Sequence, residues 1–141
     1  MRKKAFMMFM SQSNKPTGQE REPIDITSLR GAIRHRLDVE KKLLFILYET
    51  AQDDIQTLSD NINEETPGAW EHAAHGLKGA AANICVDKLS RLCEEAEDLP
   101  PESTAKRREI LKAISSEFKI VLAYIQKLHP HFMEEYQHAK N

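Results

Sequence analysis

Two cysteines, Cys85 and Cys93, are all the sulfhydryls in 141 residues, and they do not form a CxxC pair. That excludes a disulfide-stapled scaffold and fits a reducing compartment. No apolar run approaches the roughly 20 residues that span a bilayer. Alternating β-branched runs are missing, which argues against strands. No glycine-rich phosphate loop of the GxxxxGK[ST] type occurs, so nothing points to a nucleotide site. Charge of one sign is also scarce in blocks, and the formal net charge is −2, which leaves no footprint for nucleic acid. The longest basic clusters are Arg2-Lys3-Lys4 and Lys106-Arg107-Arg108, read as a solvated tail and a solvated helix face.

What is present is a chain of single-domain length with an ordinary soluble balance, 40% hydrophobic and 30% charged. The opening MRKKAFMMFM has too short an apolar core for a signal peptide. With the polar SQSNKPTGQEREP after it, residues 1–23 are expected to be a flexible leader and linker, and residues 24–141 the folded domain. A cytoplasmic protein is the expectation.

From Pro23 onward, helical periodicity takes over. Ile26, Leu29, Ile33 and Leu37 mark one short helix, with Asp25 or Thr27 as N-cap. Asp38 is placed to cap a second, whose face carries Leu44, Leu47, Ala51, Ile55, Leu58 and Ile62. Thr66-Pro67 reads as the start of a third, with a stripe of Trp70, Ala73, Leu77, Ala81 and Ile84. Asp87 is placed to cap a fourth, with Leu89, Leu92, Cys93, Ala96 and Leu99, stopped by Pro100-Pro101. The last long stripe runs from Ile110 to Leu128, and Pro130 breaks it before a short tail expected to fray. Such stripes must be buried against each other. The sequence therefore predicts an all-α fold, an antiparallel four-helix bundle with an additional short N-terminal helix.

One stretch resists that economy. HAAHGLKGAAANI, residues 72–84, puts Gly76 and Gly79 inside a helix beside His75. Each helical glycine costs about 1 kcal/mol relative to alanine. With about 100° per residue, the apolar stripe falls at about 140–240° from His75, so the imidazole is expected in solvent. Its own face holds Gly79 and Ala82, which leave clearance, and Lys78, which can bring a positive charge beside the ring. Clearance, an ammonium and a neutral, nucleophilic imidazole suit temporary capture of a group that is anionic, such as a phosphoryl.

Ala74-His75-Gly76-Leu77-Lys78-Gly79 and the following Ala80-Ala81-Ala82-Asn83-Ile84 resemble the signature of histidine-containing phosphotransfer (HPt) domains. Leu89, Leu92, Cys93 and Glu97 are similar to the family's next helix, and the resemblance covers roughly residues 24 to 129. Cys85 stands where similar sequences often have glycine. The resemblance implies that His75 is the phosphoacceptor, Lys78 a charge partner and Gly79 the clearance. It implies receiver domains of response regulators or hybrid histidine kinases as partners, with no nucleic acid and no membrane. It implies no cofactor, Mg²⁺ being expected only in the partner receiver. The carrier would be a monomer rather than a classical enzyme. A histidine-kinase acceptor helix would normally show an acid after the histidine and a nearby proline, and neither is here. Glu97 flanks the stripe of its helix and stands between two readings, an acceptor for Nδ1–H of His75 or a surface ion pair.

Two rival readings compete. A metal site could draw on Glu71, His72 and His75, but a bundle di-metal centre wants two Glu-x-x-His pairs, only Glu135 to His138 has that spacing, and His75 points out of the predicted bundle. A helical adaptor that binds a signalling partner and transfers nothing fits the composition equally. His35, His129, His131 and His138 lack a supporting constellation and are expected at the surface or at helix ends.

Overall fold

A computed structural model describes residues 22–140. The expected leader lies outside the described residues, apart from Glu22 and Pro23. Six helices are found among the described residues, and no strands: α1 (Ile26–Ala32), α2 (Leu37–Asp60), α3 (Ala69–Asn83), α4 (Asp87–Glu97), α5 (Thr104–Leu128) and α6 (Phe132–Lys140). Contacts of α2 with α3 and α5, and of α4 with α3 and α5, close a four-membered helical bundle. The stripes meet inside it, with Leu44 and Leu47 from α2, Trp70 and Leu77 from α3, Leu89 from α4 and Ile114 and Ile125 from α5 all buried. Each such side chain contributes about 1.5–3 kcal/mol through burial.

The helix ends depart from the sequence reading. Asp25 does cap α1, its Oδ1 accepting from the Ser28 N–H at 3.1 Å. That helix stops at Ala32, however, and Leu37 opens α2 with 60% exposure rather than closing the stripe of α1. The break is made by Arg34 and His35, both left-handed at φ 57° and 59°, a conformation uncommon for residues other than glycine. Arg36, not Asp38, holds the N-cap of α2, and Asp38 sits in the first turn, where the helix dipole favours a carboxylate. The helix ends at Asp60, short of Ile62. The Asn61 side chain turns it, donating to the Thr57 carbonyl at 2.8 Å and accepting from the Thr66 N–H at 2.8 Å. Thr66 and Pro67 form a turn, and α3 starts two residues later behind left-handed Gly68. Asp87 is the first residue of α4, with Val86 at the cap.

Cys85 adopts φ 64°, the left-handed position for which glycine is suited. Around it the Val86 N–H reaches the Ala81 carbonyl at 2.9 Å and the Cys85 N–H the Ala82 carbonyl at 3.2 Å, closing α3 in a Schellman turn. The Cys85 carbonyl also accepts from the Asp25 N–H at 2.9 Å, tying α1 to the end of α3. A left-handed residue with a Cβ costs about 1–2 kcal/mol, part of which glycine loses again to unfolded-state entropy. Cys85→Gly is therefore expected to raise stability by about 0.5–1 kcal/mol. In urea unfolding this shows as a higher midpoint at unchanged slope, and a lowered midpoint would contradict it.

Two expectations are corrected, for Arg107 and for the tail, and His129 combines its expected helix-end place with burial. Arg107 is only 1% exposed, its guanidinium 4.6 Å over the Trp70 ring, because the turns after α2 and α4 offer it acceptors. His129 is indeed a helix-end residue, the C-cap of α5, yet it is buried, with Nε2 2.7 Å from Glu40 Oε2. The tail after Pro130 packs instead of fraying. Phe132 and Tyr136 stand four residues apart, so both rings of α6 face α2, 5.1 Å from Phe45 and 4.8 Å from Tyr48 respectively. Lys41–Glu135 and Lys140–Glu49 ion pairs flank them.

Candidate functional site

His75 occupies the middle of α3 with its side chain 67% exposed, opposite the buried Trp70, Ala73, Leu77 and Ala81. Its Nδ1 lies 2.9 Å from Oε2 of Glu97, the last residue of α4. Glu97 uses its other oxygen, Oε1, to hold the Lys78 ammonium at 2.7 Å. One carboxylate thus bridges the imidazole and the ammonium. Lys78 holds the Glu97 carboxyl below the usual carboxylate range, and His75 adds to this. Reciprocally, Glu97 raises the Lys78 ammonium, keeping it charged. With Nδ1 engaged, Nε2 is the ring nitrogen left to solvent.

The surrounding helices fix this arrangement. The buried Trp70 indole donates to the Ala96 carbonyl at 2.7 Å, pinning the last turn of α4 to α3 immediately before Glu97. Ser90 Oγ donates to the Lys78 carbonyl at 3.1 Å, linking the same two helices one level away. Both hydrogen bonds join groups that would be costly to bury unpaired.

The two glycines differ in kind. A Cβ on Gly79 would meet nothing within 4 Å, so that position is open space beside the ring's face. A Cβ on Gly76 would stand 3.2 Å from Oδ2 of Asp54 on α2, so there glycine admits a neighbouring carboxylate. Sequence periodicity brought out His75, Lys78, Gly79 and Glu97, and the structure brings His75, Lys78 and Glu97 into one hydrogen-bonded set. It did not bring out Asp54, whose only trace in the sequence is the glycine it packs on.

His72 is exposed one turn before Gly76. Among the described residues, no three His, Cys, Asp or Glu side chains converge as metal ligands. Glu135 of the rival metal reading is engaged with Lys41.

A sequence model of the Hpt domain family matches residues 42–127, more than half of the chain. No curated protein and no solved structure matched. The chain belongs to the Hpt domain family, whose members are phosphocarrier modules for histidine phosphotransfer in phosphorelays and interact with receiver domains. The match spans α3 and α4 and thus all of the His75, Lys78 and Glu97 set, while α1 and α6 lie outside it. No helix among the described residues is long and apolar enough to cross a membrane.

Proposed function

We propose that this chain is a cytoplasmic phosphoryl carrier, taking a phosphoryl group from a receiver aspartate onto His75 and delivering it to the aspartate of another receiver. The observation that carries this reading is the Glu97 bridge between His75 Nδ1 and Lys78 Nζ. Held by Glu97, Nδ1 keeps the proton and Nε2 keeps its lone pair facing outward. That lone pair forms the N–P bond while the P–O bond of the incoming acyl phosphate breaks, and the receiver carboxylate leaves with the bonding electrons. Delivery is the reverse sequence at a second receiver. Lys78 lies beside the phosphoryl position to offset its negative charge. Open space at Gly79 lets a receiver bring its acidic pocket, with the Mg²⁺ expected there, up to the ring. The carrier itself needs no cofactor in this scheme, and a monomer with a modest transient interface suffices.

Incubation with a phosphorylated receiver tests the proposal. Label that is stable in alkali and lost in acid is expected on the native protein and absent from His75→Gln. Label retained by His75→Gln would remove His75 from the role. A native protein that binds the receiver and takes no label would be the non-transferring adaptor instead.

A further inference from the structure

Asp54 is a half-buried carboxylate pressed against the helix that carries His75. Its Oδ2 lies against Gly76, the residue after His75. Neither oxygen has a hydrogen bond or an ion pair among the described residues. Among the described residues, no cation is paired with it. Asp53 precedes it on α2, His72 and His75 stand on α3, and the buried Cys93 thiol on α4 is within its electrostatic reach. Lys78 follows Gly76 by two residues, about 200° around α3, and is held by Glu97 on the α4 side. The site is therefore electrostatically lopsided, with an ammonium on one flank of His75 and, on the other, a carboxylate without a protein donor among the described residues. Desolvation, with the Asp53 charge second, pushes the Asp54 carboxyl up to about 6.

A phosphoryl group on Nε2 brings a charge near −2, and the ring that keeps its Nδ1 proton gains +1, so the open side of this carboxylate becomes more negative by about one charge. We propose that phosphorylation of His75 is linked to proton uptake by Asp54, so that an ionised Asp54 weakens the site's hold on the phosphoryl group and a neutral Asp54 strengthens it. The inference rests on His75 being the phosphoacceptor. A net change of one charge at a separation on the order of 10 Å, in surroundings between protein and water, shifts a carboxyl by about 0.3 to 0.6 pH unit. Reciprocity makes the ionised carboxylate lower the stability of the phosphohistidine by the same factor, about 2- to 4-fold. Asp54 would then tune how readily the carrier gives up its cargo, without touching the reacting atoms.

Phosphoramidate serves as the phosphoryl donor in the test, since no receiver is then required. The Nε2 lone pair forms the N–P bond, the P–N bond of the donor breaks, and ammonia departs. Nδ1 keeps its proton against Glu97, and Asp54 takes one proton from solvent. The carboxyl of Asp54 in ¹³C-aspartate-labelled protein is titrated by NMR before and after this treatment, its signal assigned by its loss in Asp54→Asn. Mass spectrometry reports the label independently. The expected midpoint is near 6 in the free protein and about 0.3 unit or more higher in the phosphorylated one, with no rise in treated His75→Gln. Equal midpoints in labelled and unlabelled protein would overturn the linkage while leaving His75 as acceptor. Wild type that gains no label, or His75→Gln that gains it, would overturn the acceptor assignment and the linkage with it.

Discussion

Arg107→Ala lowers the free energy of unfolding by about 3–5 kcal/mol, as expected when one partner of a buried charged network is deleted. The guanidinium donates through Nη1 to Glu64 Oε1 at 2.8 Å and to the Asn61 carbonyl at 3.3 Å, and through Nη2 to the Leu99 carbonyl at 3.0 Å. Those acceptors belong to the turn after α2 and the stretch after α4, so one side chain on α5 closes two loops. Its flat face also rests on the Trp70 ring, a cation–π contact strengthened by exclusion from water. Alanine would leave two carbonyls and a carboxylate short of donors and a hole beside the indole. Arg107→Lys should recover only part of the loss, because an ammonium lacks the planar fork that reaches three acceptors at once. Urea unfolding followed by circular dichroism checks both variants. A loss below about 1 kcal/mol for alanine would mean that the network contributes no more than an exposed pair does.

Glu40→Ala should cost about as much, roughly 3–5 kcal/mol near neutral pH. Glu40 is 1% exposed and accepts from Arg30 Nε at 2.7 Å and Nη2 at 3.0 Å, with His129 Nε2 at 2.7 Å on its far side. It therefore joins α1, α2 and the end of α5 through one carboxylate. The Arg30 hydrogen bonds, and then His129, hold its carboxyl below the usual value of 4.5. A depressed folded-state value means that the stabilisation is fully present above about pH 4.5 and is lost as pH falls through the lower folded value. The stability gap between wild type and Glu40→Gln should thus be wide at pH 7 and shrink progressively as pH falls below about 4.5. A gap independent of pH over that range would show that packing, not ionisation, makes Glu40 valuable.

The helices themselves were legible because five apolar stripes repeat at helical spacing, and the family signature sits on one of them. Their ends were not, for a shared reason. Arg34, His35, Glu64 and Cys85 all take positive φ without being glycine, so the turns they make leave no compositional mark. Arg107 was hidden inside a basic triplet, where its neighbours Lys106 and Arg108 are exposed as expected. In α6 the Phe132–Tyr136 spacing was the available signal, outweighed by Pro130. Within the site, angular position on one helix was enough for His75, Lys78 and Gly79. Glu97 could be placed only as a flank, since its reach depends on the Trp70–Ala96 hydrogen bond between two helices. Asp54 required knowing which face of α2 lies on α3, and that is settled by packing across the whole bundle.

The Trp70–Ala96 link has a practical side. Trp70 is the chain's single tryptophan, it is wholly buried, and its indole N–H hangs the backbone one residue before Glu97. The protein accordingly carries a native fluorophore wired to the very turn that aims the imidazole. Loosening of that turn, by mutation, by pH or by a bound partner, would be visible as a change in ultraviolet emission without any dye or tag.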